Sequence, residues 1–108
     1  MEIDKLKRDY SLYQGTNDLL YISFNVGCCP YKIQEGDILT LEVRDYRNEN
    51  KIVIKKEIIT SNFFTFKPED TNELSIGYYI YNVKFKEHTT GFVYEIISPS
   101  VFWIKGAE

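Results

Sequence analysis

"KPEDTNELSIGYYIYNVKF", residues 67–85, sets a proline, two acids, a threonine and a glycine ahead of a run that alternates aromatic and polar residues. Such a stretch is either the rim of an active site or a corner that turns the chain into a strand. Its chemistry favours the corner. Pro68 cannot donate to a sheet ladder and stops the strand before it, while Asp70 and Thr71 suit the caps of a helical turn through residues 72–74. Gly77 then releases the chain into "YYIYNVKF", where Tyr79, Tyr81, Val83 and Phe85 share one face and Tyr78, Asn82 and Lys84 the other.

The same two-residue period extends in both directions. In "DLLYISFNV" (18–26), Leu20, Ile22, Phe24 and Val26 face one way and Tyr21, Ser23 and Asn25 the other. A turn-rich connection, "GCCPYKIQEGD" (27–37), leads to "ILTLEVRD" (38–45), with Leu39, Leu41 and Val43 inward. The polar "YRNENK" (46–51) reads as a loop before "IVIKKEII" (52–59), whose Ile52, Ile54 and Ile58 share a face with Lys56. A bulge near Lys56, or an edge strand blunted by an inward lysine, accounts for that misfit. Ser61-Asn62 turns the chain into "FFTF" (63–66), which aligns Phe64 and Phe66. "KEHTTG" (86–91) is a hairpin loop with Gly91 placed for a positive φ, and "FVYEII" and "VFWIK" complete the sheet on either side of Ser98-Pro99-Ser100.

Frequent turn signals and no helical period over ten residues predict an all-β fold: an immunoglobulin-like antiparallel β-sandwich of about seven or eight strands, one domain over residues 1–108. The aromatic content of 16% agrees, because aromatic and β-branched side chains suit pleated, half-buried surfaces. A net charge of -3 offers no basic face to a phosphate backbone, so nucleic acid is not an expected partner. Charges are scattered through "MEIDKLKRDYSLYQG", which therefore predicts neither a signal peptide nor a transmembrane helix, and no membrane role. Cys28 and Cys29 are adjacent, and bridging neighbours strains an eight-membered ring, so two thiols are expected.

Catalytic chemistry finds little support. His88 is the only histidine, in a hairpin loop where a solvated side chain is expected, and Cys28-Cys29 lacks the spacer of a metal knuckle. The acid pairs Glu69 with Asp70 and Glu35 with Asp37 sit in turns, where acids cap or solvate. "QEGD" and "SIGY" carry one glycine each, too few to cradle a phosphate. No catalytic, cofactor-binding or metal residues are predicted. Tyr21, Tyr78 and Trp103 lie opposite the inferred core, where aromatics serve protein interfaces and sugar platforms.

The order of these features resembles the small β-sandwich domains of bacteriophage tails and baseplates, in particular the N-terminal domain of the upper baseplate protein of phages infecting Gram-positive bacteria. The likeness rests on Pro68, Glu69, Asp70, Thr71, Leu74, Gly77, Tyr79, Tyr81 and Val83; the loop "GCCPYK" and Asn82, where an aspartate is common, depart from it. The resemblance implies a virion structural protein, not an enzyme, made in the bacterial host cytoplasm and built into the tail. Its partners would be other tail or baseplate proteins and copies of itself, with no cofactor. "PEDT" is also similar to the segment before the tyrosine strand of antibody variable domains, where a tyrosine hydroxyl bonds back to upstream backbone. That likeness assigns Asp70 to capping, Gly77 to the change of direction, and Tyr79 or Tyr81 to the hydroxyl bond. The alternative function is a carbohydrate-binding module, with Tyr21, Tyr78 or Trp103 stacking on sugar and Asn82 or Glu95 supplying polar contacts.

Overall fold

A computed structural model describes residues 3, 5–27, 29–45, 47–59 and 61–106, with the side chains of residues 49 and 50 excepted. The fold is all-β and built of several sheets. In chain order the elements are β1 (Tyr10–Tyr13), β2 (Asp18–Tyr21), β3 (Asn25–Val26), β4 (Cys29–Pro30), β5 (Ile38–Asp45), β6 (Asn48–Ile58), β7 (Phe63–Phe66), α1 (Pro68–Thr71), β8 (Gly77–Lys86) and β9 (Val93–Lys105). A five-stranded sheet runs β1-β9-β8-β5-β6, and two ribbons pair β2 with β7 and β3 with β4. All pairings are antiparallel except that of β1 with β9, where Tyr10 lies beside Phe102 and Tyr13 beside Lys105.

Alternation decides which side chains are buried. Leu39, Leu41 and Val43 of β5 and Tyr81, Val83 and Phe85 of β8 are nearly inaccessible to solvent, as are Leu20, Phe64 and Phe66 from the β2–β7 ribbon. Rings bridge the sheets: Phe66 of β7 meets Phe102 of β9 at 5.5 Å, and Phe24 meets Phe85 at 5.0 Å. Offset and edge contacts of this kind add to the area term, which is about 25 cal/mol per Å² of apolar surface removed from water.

Several boundaries differ from the sequence expectation. The stretch 18–26 is not one strand: β2 ends at Tyr21, and β3 joins another ribbon. Ile22 and Phe24 keep their inward side regardless. Strand β6 begins at Asn48, inside the expected loop, and its ladder slips at the start, for Asp45 pairs with Asn48 while Arg44 pairs with Ile52. Val53 is then passed over before Val43 pairs with Ile54, so the irregularity lies at Val53 and not at Lys56, and Ile52 is turned out to solvent. Lys56 does face inward on an edge strand, opposite Leu41, with its ammonium 2.9 Å from Asp70. Finally, β9 runs unbroken through Ser98-Pro99-Ser100, where the register shifts opposite Asn82. Proline is tolerated there because the shift takes Pro99 out of the paired positions. Of the Cys28-Cys29 pair, Cys28 lies outside the described residues.

Candidate interaction surface

The stretch 67–85 forms a corner tied by hydrogen bonds from three directions. The helical turn starts at Pro68, earlier than expected, so Asp70 acts from its third position: its carboxylate accepts the Lys67 N–H at 2.8 Å, and its own N–H donates to the Lys67 carbonyl at 2.9 Å. Burial pushes the Asp70 pKa up, but the Lys67 N–H and the Lys56 ammonium outweigh it and hold the carboxyl below its ordinary value. Thr71 is fully buried and caps nothing on its own helix; its hydroxyl accepts the Gly15 N–H at 2.8 Å. The Gln14 amide donates to the Leu74 carbonyl at 2.7 Å, which clips the β1–β2 turn to the corner. Gly15, at φ +74°, is required there, since a Cβ would stand 2.8 Å from the Asn72 side-chain oxygen. Gly77 makes the bend into β8 at φ +146°.

Both tyrosines of the β8 inner face bond back to upstream backbone. Tyr79 Oη donates to the Ser75 carbonyl at 2.7 Å, within the corner. Tyr81 Oη donates to the Arg8 carbonyl, fastening the segment before β1, and burial pushes its pKa up to about 12. A groove of about 720 Å³ opens beside the corner, between Asp45, Arg47, Ser75, Ile76 and Tyr78.

The outer face of the five-stranded sheet carries two of the three aromatics singled out in the sequence. Tyr78 and Trp103 are directly opposed on β8 and β9, 58% and 39% exposed, with rings 5.3 Å apart and 26° from parallel. Lys105 Nζ lies 4.4 Å from the Tyr13 ring centroid and 5.5 Å from that of Trp103. Val101, exposed, and Ile80, half-buried, continue the patch as the next cross-strand pair. The sequence reading missed Tyr13 and Lys105; both become relevant only once β1 pairs with β9, a contact with no local signature. Tyr21 is exposed too, but on β2, against Phe63 at 5.5 Å, and it is not part of the patch. Asn82 is buried and its amide reaches Glu95 only at 3.5 Å.

A polar cluster closes the other end of the sheet. Asp37 is fully buried and accepts from the Tyr31 hydroxyl (2.6 Å), the Gln34 N–H (2.8 Å) and the His88 N–H (2.9 Å), with His88 Nδ1 at 2.7 Å. His88 is therefore tied down rather than simply solvated. Burial acts to raise the Asp37 pKa, yet these bonds hold it below its ordinary value. Glu87, also buried, accepts from Thr89 and Thr90, which lower its pKa from 4.5 to about 2. These acids brace the β8–β9 turn against the loop before β5. Among the described residues no three His, Cys, Asp or Glu side chains are grouped to hold a metal ion, and no helix is long and apolar enough to cross a membrane.

No family model, no curated protein and no solved structure matches the chain.

Proposed function

We propose that the chain is an immunoglobulin-like β-sandwich serving as a phage-derived virion structural module, a tail or baseplate assembly or attachment part that works through protein–protein contacts. The observation that carries this reading is the solvent-facing stack of Tyr78 on Trp103, continued by Val101 and Ile80 on a sheet face that has no core to cover. Large rigid aromatics of this kind anchor protein interfaces, because they bury much area at small cost in side-chain entropy. The sandwich assignment draws support from the β2–β7 ribbon lying against the larger sheet through Phe66 and Phe102, and from the Tyr79–Ser75 bond. That bond is similar to the tyrosine corner of immunoglobulin folds, in which a tyrosine near the start of a strand bonds back to backbone a few residues upstream. The partners are other tail or baseplate proteins, met after synthesis in the host cytoplasm, and the site of action is the virion tail. Assembly, not turnover, is the mechanism.

The carbohydrate-binding alternative requires an aromatic ring with a face free for sugar. Tyr78 and Tyr21 keep exposed ring surface, but Tyr78 and Trp103 stack on each other and continue into the apolar Val101 and Ile80, a patch suited to a protein partner, so the interface reading is preferred. The deciding experiment measures binding of the chain to each tail protein encoded beside its gene, alongside a glycan array and a sugar titration followed by tryptophan fluorescence. The interface reading expects a tail-protein complex weakened at least tenfold by Tyr78→Ala or Trp103→Ala. Saturable sugar binding with no tail-protein complex overturns it.

A further inference from the structure

Strand β6 is the outermost strand of the large sheet, and residues 54–58 pair with β5 on one side only. Among the described residues, no backbone bond outside that ladder reaches them. Their edge therefore offers a row of unpaired N–H and C=O groups, a ready template for another strand. Natural edges are normally closed by charge, and this one carries Lys55, Lys56 and Glu57 in succession. The disposition of those charges is what specifies the occupant.

We propose that this edge pairs antiparallel with the same edge of a second copy, about a two-fold axis at Lys56, so that Lys55 of each chain faces the partner's Glu57. The inference rests on the reading of the chain as an assembly module and names one of its partners. Antiparallel self-pairing allows only discrete registers, each centred on one residue. Centred on Lys55, two lysines oppose each other on the outer face; centred on Glu57, two glutamates do, and like charges directly opposed destabilise a ladder. Centred on Ile54, the apolar Val53 meets the partner's Lys55. Within residues 54–58, the stretch that pairs regularly with β5, only the register centred on Lys56 forms two Lys–Glu pairs by symmetry, and it also sets Ile54 against the partner's Ile58 on the inner face.

Three features make that register available. Lys55 and Glu57 are both exposed, and among the described residues neither forms an ion pair; Glu42, across from Lys55, is held by Arg44 at 3.0 Å. The two axial lysines do not confront each other as bare charges, because each ammonium is turned inward, 2.9 Å from its own Asp70 and 5.6 Å from the Phe66 ring centroid. A two-fold axis normal to the sheet keeps the inner faces of both copies on one side, joining two five-stranded sheets into a continuous one. With a paired stretch this short the contact is weak and concentration-dependent, of the transient class on its own.

The test is sedimentation equilibrium of the full chain up to about 1 mM, a range suited to such transient contacts. A monomer–dimer equilibrium is expected, weakened at least about fivefold by Lys55→Glu or by Glu57→Lys, each of which turns two attractive pairs into two repulsive ones. The double variant carrying both substitutions restores it. Because Lys55→Glu also faces Glu42 within the chain, a second measurement avoids that risk. In a Cys28→Ser, Cys29→Ser background, a Lys55→Cys chain mixed with a Glu57→Cys chain is expected to give an oxidised heterodimer, while neither alone cross-links. Strictly monomeric behaviour, or cross-linking of Lys55→Cys with itself, overturns the proposal. Neither measurement involves a tail protein or the Tyr78–Trp103 face, so its failure is distinguishable from failure of the assembly reading.

Discussion

Tyr79 and Glu87 illustrate two ways in which a single polar group holds this fold. The Tyr79 hydroxyl satisfies the Ser75 carbonyl at 2.7 Å while its ring stays in the core. Tyr79→Phe keeps the ring and removes the bond, so urea unfolding is expected to show a loss of about 1 kcal/mol, the usual net worth of one such bond. Glu87 acts through its ionisation. Its folded pKa, near 2, lies below the ordinary 4.5, so its stabilising bonds are complete above about pH 4.5 and are lost as pH falls towards 2. Asp37 is shifted in the same direction and adds to the same acid limb. Thermal melting should therefore be flat in this respect at neutral pH and fall off steeply in acid, and Glu87→Gln should make that acid slope shallower. The likeness of "PEDT" to the segment before the tyrosine strand of antibody variable domains implies a hydroxyl bond from Tyr79 or Tyr81, and both hydroxyls bond to upstream backbone, Tyr79 within the corner and Tyr81 at Arg8. The role of His88 was not legible in the sequence: its partner Asp37 lies 51 positions away, and nothing local marks a loop histidine as tethered.

Among the elements, α1 is only four residues long yet is tied to both β6 and the β1–β2 turn. Asp70 caps it through Lys67, and its carboxylate also receives the inward ammonium of Lys56. Asp70→Ala removes both at once and leaves Lys56 facing Phe66 without its acid, so a loss of about 1–3 kcal/mol is expected, seen as a fall in melting temperature. Asp70→Asn, which keeps the acceptor for Lys67, should recover the capping part only. Periodicity identified β5, β7 and β8 with the correct inward faces, since hydrophobic alternation is a local property. It failed where strands join or divide. Ser98-Pro99-Ser100 reads as a break, but Ser98 and Pro99 bulge opposite the single residue Asn82, and β9 continues. Conversely, 18–26 alternates without interruption, yet its two halves belong to different ribbons. Which neighbour a strand pairs with is set by the whole chain.

For the molecule as a whole, inner and outer rings should separate cleanly by experiment. Phe66 is completely buried and touches Tyr10 and Phe102, so Phe66→Ala is expected to cost about 3–5 kcal/mol and to threaten folding altogether. Trp103→Ala empties a site that is 39% exposed and should leave a folded protein with an unchanged far-ultraviolet dichroism spectrum. The contrast would localise the aromatic excess of the composition to two distinct tasks, one cohesive and one outward.

The parallel ladder of β1 with β9 governs when this architecture can come into being. Arg8 and Ser100 are joined across 92 positions, and the Leu6 carbonyl receives the Ser98 N–H across as many. Contacts so remote along the chain slow the search for the native state. During synthesis β1, carrying Leu12, must wait without its ladder partner until the ribosome has delivered β9. The interval before closure is then the period in which a growing copy is most exposed to unwanted company.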